Sequence, residues 1–200
     1  MTTPTDLVAY RIDDNDRIVF VDAGFAAFAH LNGAEELVPP QLTGDSLWRW
    51  ISDPATVQMY TALLARVRAG IGPVRFSFRC DTPVSRRLLE MNIRAGAAGE
   101  VVFETRLLRS RSRAPLRLLD AAVTRSDALL TICGWCLRIP DASGAWMELE
   151  DAVAALHLFE SAELPQLSHG MCPACYDSMR AALDDADLAA SGEIRLGELP

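Results

Sequence analysis

Apolar and polar positions change their rhythm several times along this chain. "LVAYRI" alternates, "DDND" is polar, and "RIVFV" is apolar again, so residues 7–21 predict two strands joined by a tight turn. In "DAGFAAFAHLNG", Phe25, Phe28 and Ala29 fall at helical spacing, and Asn32-Gly33 reads as a helix stop. "VPPQLTGDSL" reads as a loop with Pro, Gly and polar caps. "SDPATVQMYTALLARVRAG" predicts a longer helix. Ser52 or Asp53 caps it, Pro54 stands in its first turn, Val57, Tyr60, Leu64 and Val67 form one apolar face, and Gly70 closes it. Three strand-like runs follow, "VRFSFRC", "RRLLEMNIRA" and "GEVVFETRLLRS", separated by Asp81-Thr82-Pro83 and by "GAAG".

Two strands, a helical middle and three further strands predict an α+β domain: a five-stranded antiparallel sheet with helices on one face, over residues 1–108. The stretch "YRIDDNDRIVFVDAGFAAFA" looks like the opening of a PAS sensor domain, where a hairpin leads into the first helix, and the later strands look like the remainder of that sheet. The resemblance implies a concave sheet face that serves as a small-molecule pocket or as a protein-partner and homodimer surface. Phe20, Phe28, Trp48, Met91, Ile93 and Phe103 are the candidate linings, and each also suits an ordinary core. His30 ends the first predicted helix, where a cation suits the C-terminus. A haem-binding PAS domain would have to use this histidine, and haem is not expected. The Asn-Cys-Arg-Phe motif of flavin photoreceptors is missing, so flavin is not expected either.

The rhythm then weakens. Residues 109–131, "RSRSRAPLRLLDAAVTRSDALL" and the next threonine, carry five Arg and predict a solvated connector with a short helix. Residues 132–200 form a second unit. "DASGAW" is a turn, and "MELEDAVAALHLFE" is an amphipathic helix with Leu149, Val153, Leu156 and Phe159 inward. "YDSMRAALDDADL" has helix character and runs into an acidic tail.

Chemistry concentrates in that second unit. Cys133-x-x-Cys136 and Cys172-x-x-Cys175 are two matched tight turns, 35 residues apart. Each brings two thiolates close enough to share one ion, and together they complete the tetrahedron that zinc takes in structural sites. Four thiolates also suit an iron–sulfur centre, which the spacing leaves open. A dithiol shuttle needs one pair at a helix start inside a βαβ unit, and haem attachment needs His directly after the second Cys, where Leu137 and Tyr176 stand. His169, three residues before Cys172, is an alternative ligand or a residue supporting the ligands; His157 lies beside an apolar helix face. The wider pattern "CGWCLRI…WMELED…SHGMCPACYDSM" resembles a small zinc-binding segment at the end of some bacterial PAS-containing signalling proteins. "SLWRWISDP" and "FRCDTPVSRRLLEMNI" resemble stretches of the same proteins.

Composition narrows the classes. Half of the 200 residues are hydrophobic and 23% are charged, which supports a packed core. All nineteen basic residues are Arg, and the net charge is -8. An acidic chain without a base-reading module is not expected to bind nucleic acid. No signal segment or membrane-length apolar run appears, so a cytoplasmic protein with reduced thiols is expected. GxSxG, HExxH and a P-loop lysine are missing, and four cysteines leave zinc no open position, so no enzyme is expected. Acidic pairs such as Asp13-Asp14, Glu35-Glu36 and Asp184-Asp185 suit turns and surfaces. Cys80 reads as a small apolar filler, and Asp81 with Arg86-Arg87 as a salt-bridged hairpin. Together these features predict a sensory or regulatory protein, with a thiol or zinc switch as the alternative and a zinc-ribbon nucleic-acid binder behind it.

Overall fold

A computed structural model describes residues 7–31, 39–158, 163–188 and 193–196. The opening hairpin is β1 (Leu7–Ile12) and β2 (Ile18–Val21), paired antiparallel. Its turn is built by Asp13, whose carboxylate accepts from the backbone N–H groups of Asn15 and Arg17, while Asp16 takes the left-handed conformation at φ 59°. Helices α1 (Ala23–Leu31), α2 (Pro39–Leu42) and α3 (Pro54–Arg68) follow. Strands β3 (Val74–Arg79), β4 (Ser85–Ala95) and β5 (Val101–Ser112) then pair antiparallel in succession, and β5 returns to pair with β1. The expected α+β architecture, a five-stranded antiparallel sheet with helices, is the one observed. A sixth strand, introduced below, adds to it in parallel.

Helix α3 starts where its sequence says it should. Asp53 is the cap, its carboxylate accepting from the Thr56 backbone N–H at 2.8 Å, and Pro54 occupies the first turn. The helix ends at Ala69, and Gly70 follows at φ 70°. Its most buried face is turned slightly from the expected one. Met59, Leu63, Leu64 and Val67 are buried against the sheet, whereas Tyr60 is only partly covered. On the sheet side the core holds Ile12, Val74, Phe76, Met91, Ile93 and Phe103.

Residues 109–131, expected to be a solvated connector with a short helix, carry more regular structure than that. They contain the end of β5, a short 3-10 turn at Arg117–Leu119, and most of β6 (Arg125–Cys133). Leu116 and Leu118 are buried there, so the Arg-rich composition hides two anchors. After β6 come the small hairpin β7 (Ile139–Pro140) with β8 (Trp146–Met147), helix α4 (Leu149–Ala155), β9 (Leu164–Gly170) and α5 (Pro173–Leu188). Strand β9 pairs with β6 in parallel. Helix α4 buries Leu149 and Val153 as expected, but it stops early, with His157 at φ 51°. Finally β10 (Ile194–Leu196) pairs in parallel with β3 at the edge of the main sheet. Asn32-Gly33, Glu35-Glu36, Phe159 and the last residues of the acidic tail lie outside the described residues.

Two hydrophobic cores result. The first lies between the main sheet and α3, and it extends without a break to Cys133, Trp135, Cys136, Met171, Cys172, Cys175 and Met179. The second is smaller and gathers Leu116, Leu118, Ile132, Leu137, Ile139, Leu149, Ala152, Val153 and Leu164. The cysteines therefore belong to the core of the sheet and not to a separate core of the C-terminal part.

Candidate metal centre and adjoining cavity

The parallel pairing of β6 with β9 sets Cys133 opposite Gly170, so the loops that follow both strands leave from the same edge. The first loop folds tightly. The Leu137 N–H donates to the Cys133 carbonyl at 2.9 Å, the Cys133 N–H donates to the Arg138 carbonyl at 2.8 Å, and Leu137 sits at φ 63°. A bond from the Gly134 N–H to the Gly170 carbonyl, 2.8 Å, ties this loop to the second one. The second loop enters α5 through Pro173, which places Cys172 just before the helix and Cys175 in its first turn.

The four sulfur atoms lie within 4.8 Å of one another, and all four residues are buried. Zn–S bonds of about 2.3 Å in a tetrahedron require sulfur–sulfur edges of about 3.8 Å. Cys136 Sγ and Cys172 Sγ are 3.7 Å apart, so that edge already has the required length. The Cys172 and Cys175 N–H groups donate to Cys133 Sγ and Cys172 Sγ, each at 3.4 Å, which favours thiolate charge. The ionisations are strongly linked. Hydrogen bonds from Cys136 and Cys175 pull the Cys133 thiol down to about 2. Donating to Cys133 pushes Cys136 up to about 12, and hydrogen bonding to Cys133 and Cys136 pushes Cys175 upward as well. The four thiols compete for ionisation, and a bound divalent ion would stabilise all four as thiolates. The donor set fits a metal ion.

His169 does not join this group. Among the described residues, the cluster of possible metal ligands consists of the four cysteines alone. His169 pairs with Ile132 across β6 and β9, is exposed, and lies at the edge of a cavity. Surrounding protein lowers its pKa, an effect that Cys133 opposes.

That cavity has a volume of about 340 Å³. It lies between α3, β3 and β4 on one side and the two cysteine loops on the other. Tyr60, Phe76, Phe78 and Met91 form one part of its wall, and Gly134, Trp135 and Gly170 form another. Trp135 packs at 6.1 Å edge-on to Tyr60 and at 6.0 Å from Phe76, so the residue between two metal-capable cysteines is also a wall residue. Tyr60 is shared with a second, more apolar cavity of about 240 Å³, lined by Tyr10, Phe25 and Leu42 among others. Burial pushes the Tyr60 phenol up to about 12 and raises that of Tyr10.

Of the six linings expected from sequence, Met91 reaches the larger cavity. Ile93 and Phe103 are fully buried core, with Phe103 stacked on Tyr10 at 4.4 Å. Phe20 is 40% exposed under the Arg11 guanidinium, Phe28 lies under that of Arg87, and the Trp48 indole donates to Asp16. Sequence reading missed Asp53, Tyr60, Phe76, Phe78 and Trp135 as wall residues. A Trp inside a CxxC loop is the one signal that pointed here, because an aromatic between two ligands must pack on something.

Charges bind the metal-capable loops to the sheet. The Arg79 backbone N–H donates to the Trp135 carbonyl at 2.7 Å, and its guanidinium reaches the Cys136 carbonyl, Asp81 and Glu148. Asp81, with a fully buried side chain, also holds Arg113 at 3.1 Å, and Arg113 continues to Glu150. The expected hairpin cluster is thus larger than sequence suggested. Arg86 pairs with Glu150 on α4, and Arg87 gives Asp81 its backbone N–H and bonds the Cys80 carbonyl. Burial raises the Cys80 thiol, partly offset by Arg87, which suits a filler and not a nucleophile.

No family model and no curated protein matches the chain. Among solved structures, it is similar to the photoactive yellow protein domain of the sensor histidine kinase Ppr from Rhodospirillum centenum. The identity is 17%, over 52% of this chain and 87% of that one, with a TM-score of 0.37. A domain of an HTR-like protein from Haloarcula marismortui matches at 16% identity over 52% of this chain and 98% of that one, with a TM-score of 0.33. Likenesses at this level lend nothing to function; the α+β architecture rests on the strand order and the helices. No described helix is long and apolar enough to cross a membrane.

Proposed function

We propose that this is a non-enzymatic sensory or regulatory protein in which the PAS-like part binds a small molecule, with a structural zinc ion held by Cys133, Cys136, Cys172 and Cys175. One observation carries the reading: the cysteine loops share the core of the sheet and wall a cavity with it. A change in that cavity therefore presses on the metal loops, and through α5 and α4 on the surface that a protein partner or a second copy would read. Four buried cysteines give zinc a closed shell with no position for substrate, so the ion serves structure. A soft, tetrahedral set of thiolates favours zinc over harder cations.

Elemental analysis and native mass spectrometry of the purified protein test this directly. We expect one zinc per chain, and a melting transition that drops when a strong chelator removes it. Protein that carries no metal and melts unchanged with chelator sinks the zinc assignment. A thiol switch needs sulfurs that reagents can reach. All four are buried, and labelling of the native protein no faster than global unfolding permits is the expected result.

A further inference from the structure

We propose that the larger cavity is a site for a small aromatic amine, with the ring against the aromatic wall and the ammonium at Asp53. This rests on the sensor reading above and adds the ligand's chemistry and place. The volume of about 340 Å³ suits a one- or two-ring molecule. Tyr60, Phe76, Phe78 and Trp135 offer ring faces and edges, the surroundings that favour aromatic stacking and a nearby cation.

Charge then selects the sign. In a chain whose basic residues are nineteen arginines, the lining contains no arginine. Its one carboxylate is Asp53, and its other titratable groups are His169 and Tyr60. One oxygen of Asp53, Oδ2, is used by the backbone N–H and hydroxyl of Thr56 at 2.8 and 2.7 Å. The other, Oδ1, takes no donor among the described residues. It faces Gly170, where a Cβ would stand 3.2 Å from it, so the glycine keeps the space beside this oxygen open. A carboxylate with a free oxygen, an aromatic wall and no guanidinium select an amine and reject a carboxylate of the same shape.

Isothermal titration of the full-length, metal-replete protein with phenethylamine, phenethyl alcohol and phenylacetate tests the proposal. The amine is expected to bind at least about tenfold more tightly than phenylacetate, with the alcohol between. Asp53→Asn keeps a good helix cap, so the melting point should hold while the preference for the amine disappears. Ser52→Trp, at an exposed lining residue, should block all three probes. Equal affinity for amine and acid, or a preference that survives Asp53→Asn, overturns the proposal. So does binding that Leu42→Trp abolishes and Ser52→Trp spares, which would move the ligand to the smaller cavity and leave the sensor reading intact. If no probe binds and no small molecule accompanies the purified protein in native mass spectra, both readings fall.

Discussion

The two cores make an instructive pair. The smaller one is an apolar cluster in which Leu118, Ile139 and Leu149 are fully buried. The larger one mixes hydrocarbon with four cysteines, an unpaired indole and two phenols whose ionisation burial suppresses. Strands β6 and β9 serve both, sending Ile132 and Leu164 one way and Cys133 the other. Burial alone suffices for the smaller core. The larger core carries polar groups that cost stability unless they are partnered, and the metal-capable cluster and the cavity both lie there.

The largest expected effect separates the cores by their dependence on metal. Cys172→Ser should abolish metal retention and give the largest drop in stability of the series, read by elemental analysis and thermal melting. Leu149→Ala should cost about 3–4 kcal/mol through a cavity in the smaller core, yet leave the zinc content unchanged. If that variant loses its metal, the two cores form one energetic unit and the comparison fails. Asp81→Asn removes the buried charge that holds Arg79 and Arg113, and should cost about 2–3 kcal/mol in urea unfolding. Because the Arg79 guanidinium that Asp81 holds also reaches the Cys136 carbonyl, this variant should also speed metal loss to a chelator. The smallest effect at neutral pH comes from the phenols. Tyr60 and Tyr10 have folded values above the unfolded value of about 10, so the folded state binds their protons more tightly. Their neutral forms cost nothing below pH 10, and stability should fall from there up through about pH 12. Alkaline difference spectra that show these two phenolates before the larger core opens would contradict it.

Much of this was legible in the chain. Alternation marked β1 to β5, and Asp53, Pro54 and Gly70 bounded α3, because local physics decides those features. The cysteine spacings announced a cluster because two tight turns have few other uses. What stayed hidden depends on distant partners. Parallel pairing of β6 with β9, and of β10 with β3, leaves no turn signal between neighbours. The Arg-rich run hid a strand because Arg113 and Arg125 act as fixed hydrogen-bond donors and not as part of a solvated charge run. Met91 meets the cavity while Ile93 and Phe103 are core, yet they look no different in sequence from Phe76 and Phe78; which apolar residue meets empty space is set by how α3 and the cysteine loops fail to fill it.

Strand β10 has a consequence for how copies of this chain behave at high concentration. It occupies the outer hydrogen-bonding edge of β3 through Ile194↔Val74 and Leu196↔Phe76. Removing residues 189–200 would leave a row of unpaired backbone donors and acceptors open to another sheet. The shortened chain should then associate edge to edge and precipitate, while the chain that keeps β10 stays dispersed. On that outcome β10 serves as a cover over the Val74–Phe76 edge of the sheet.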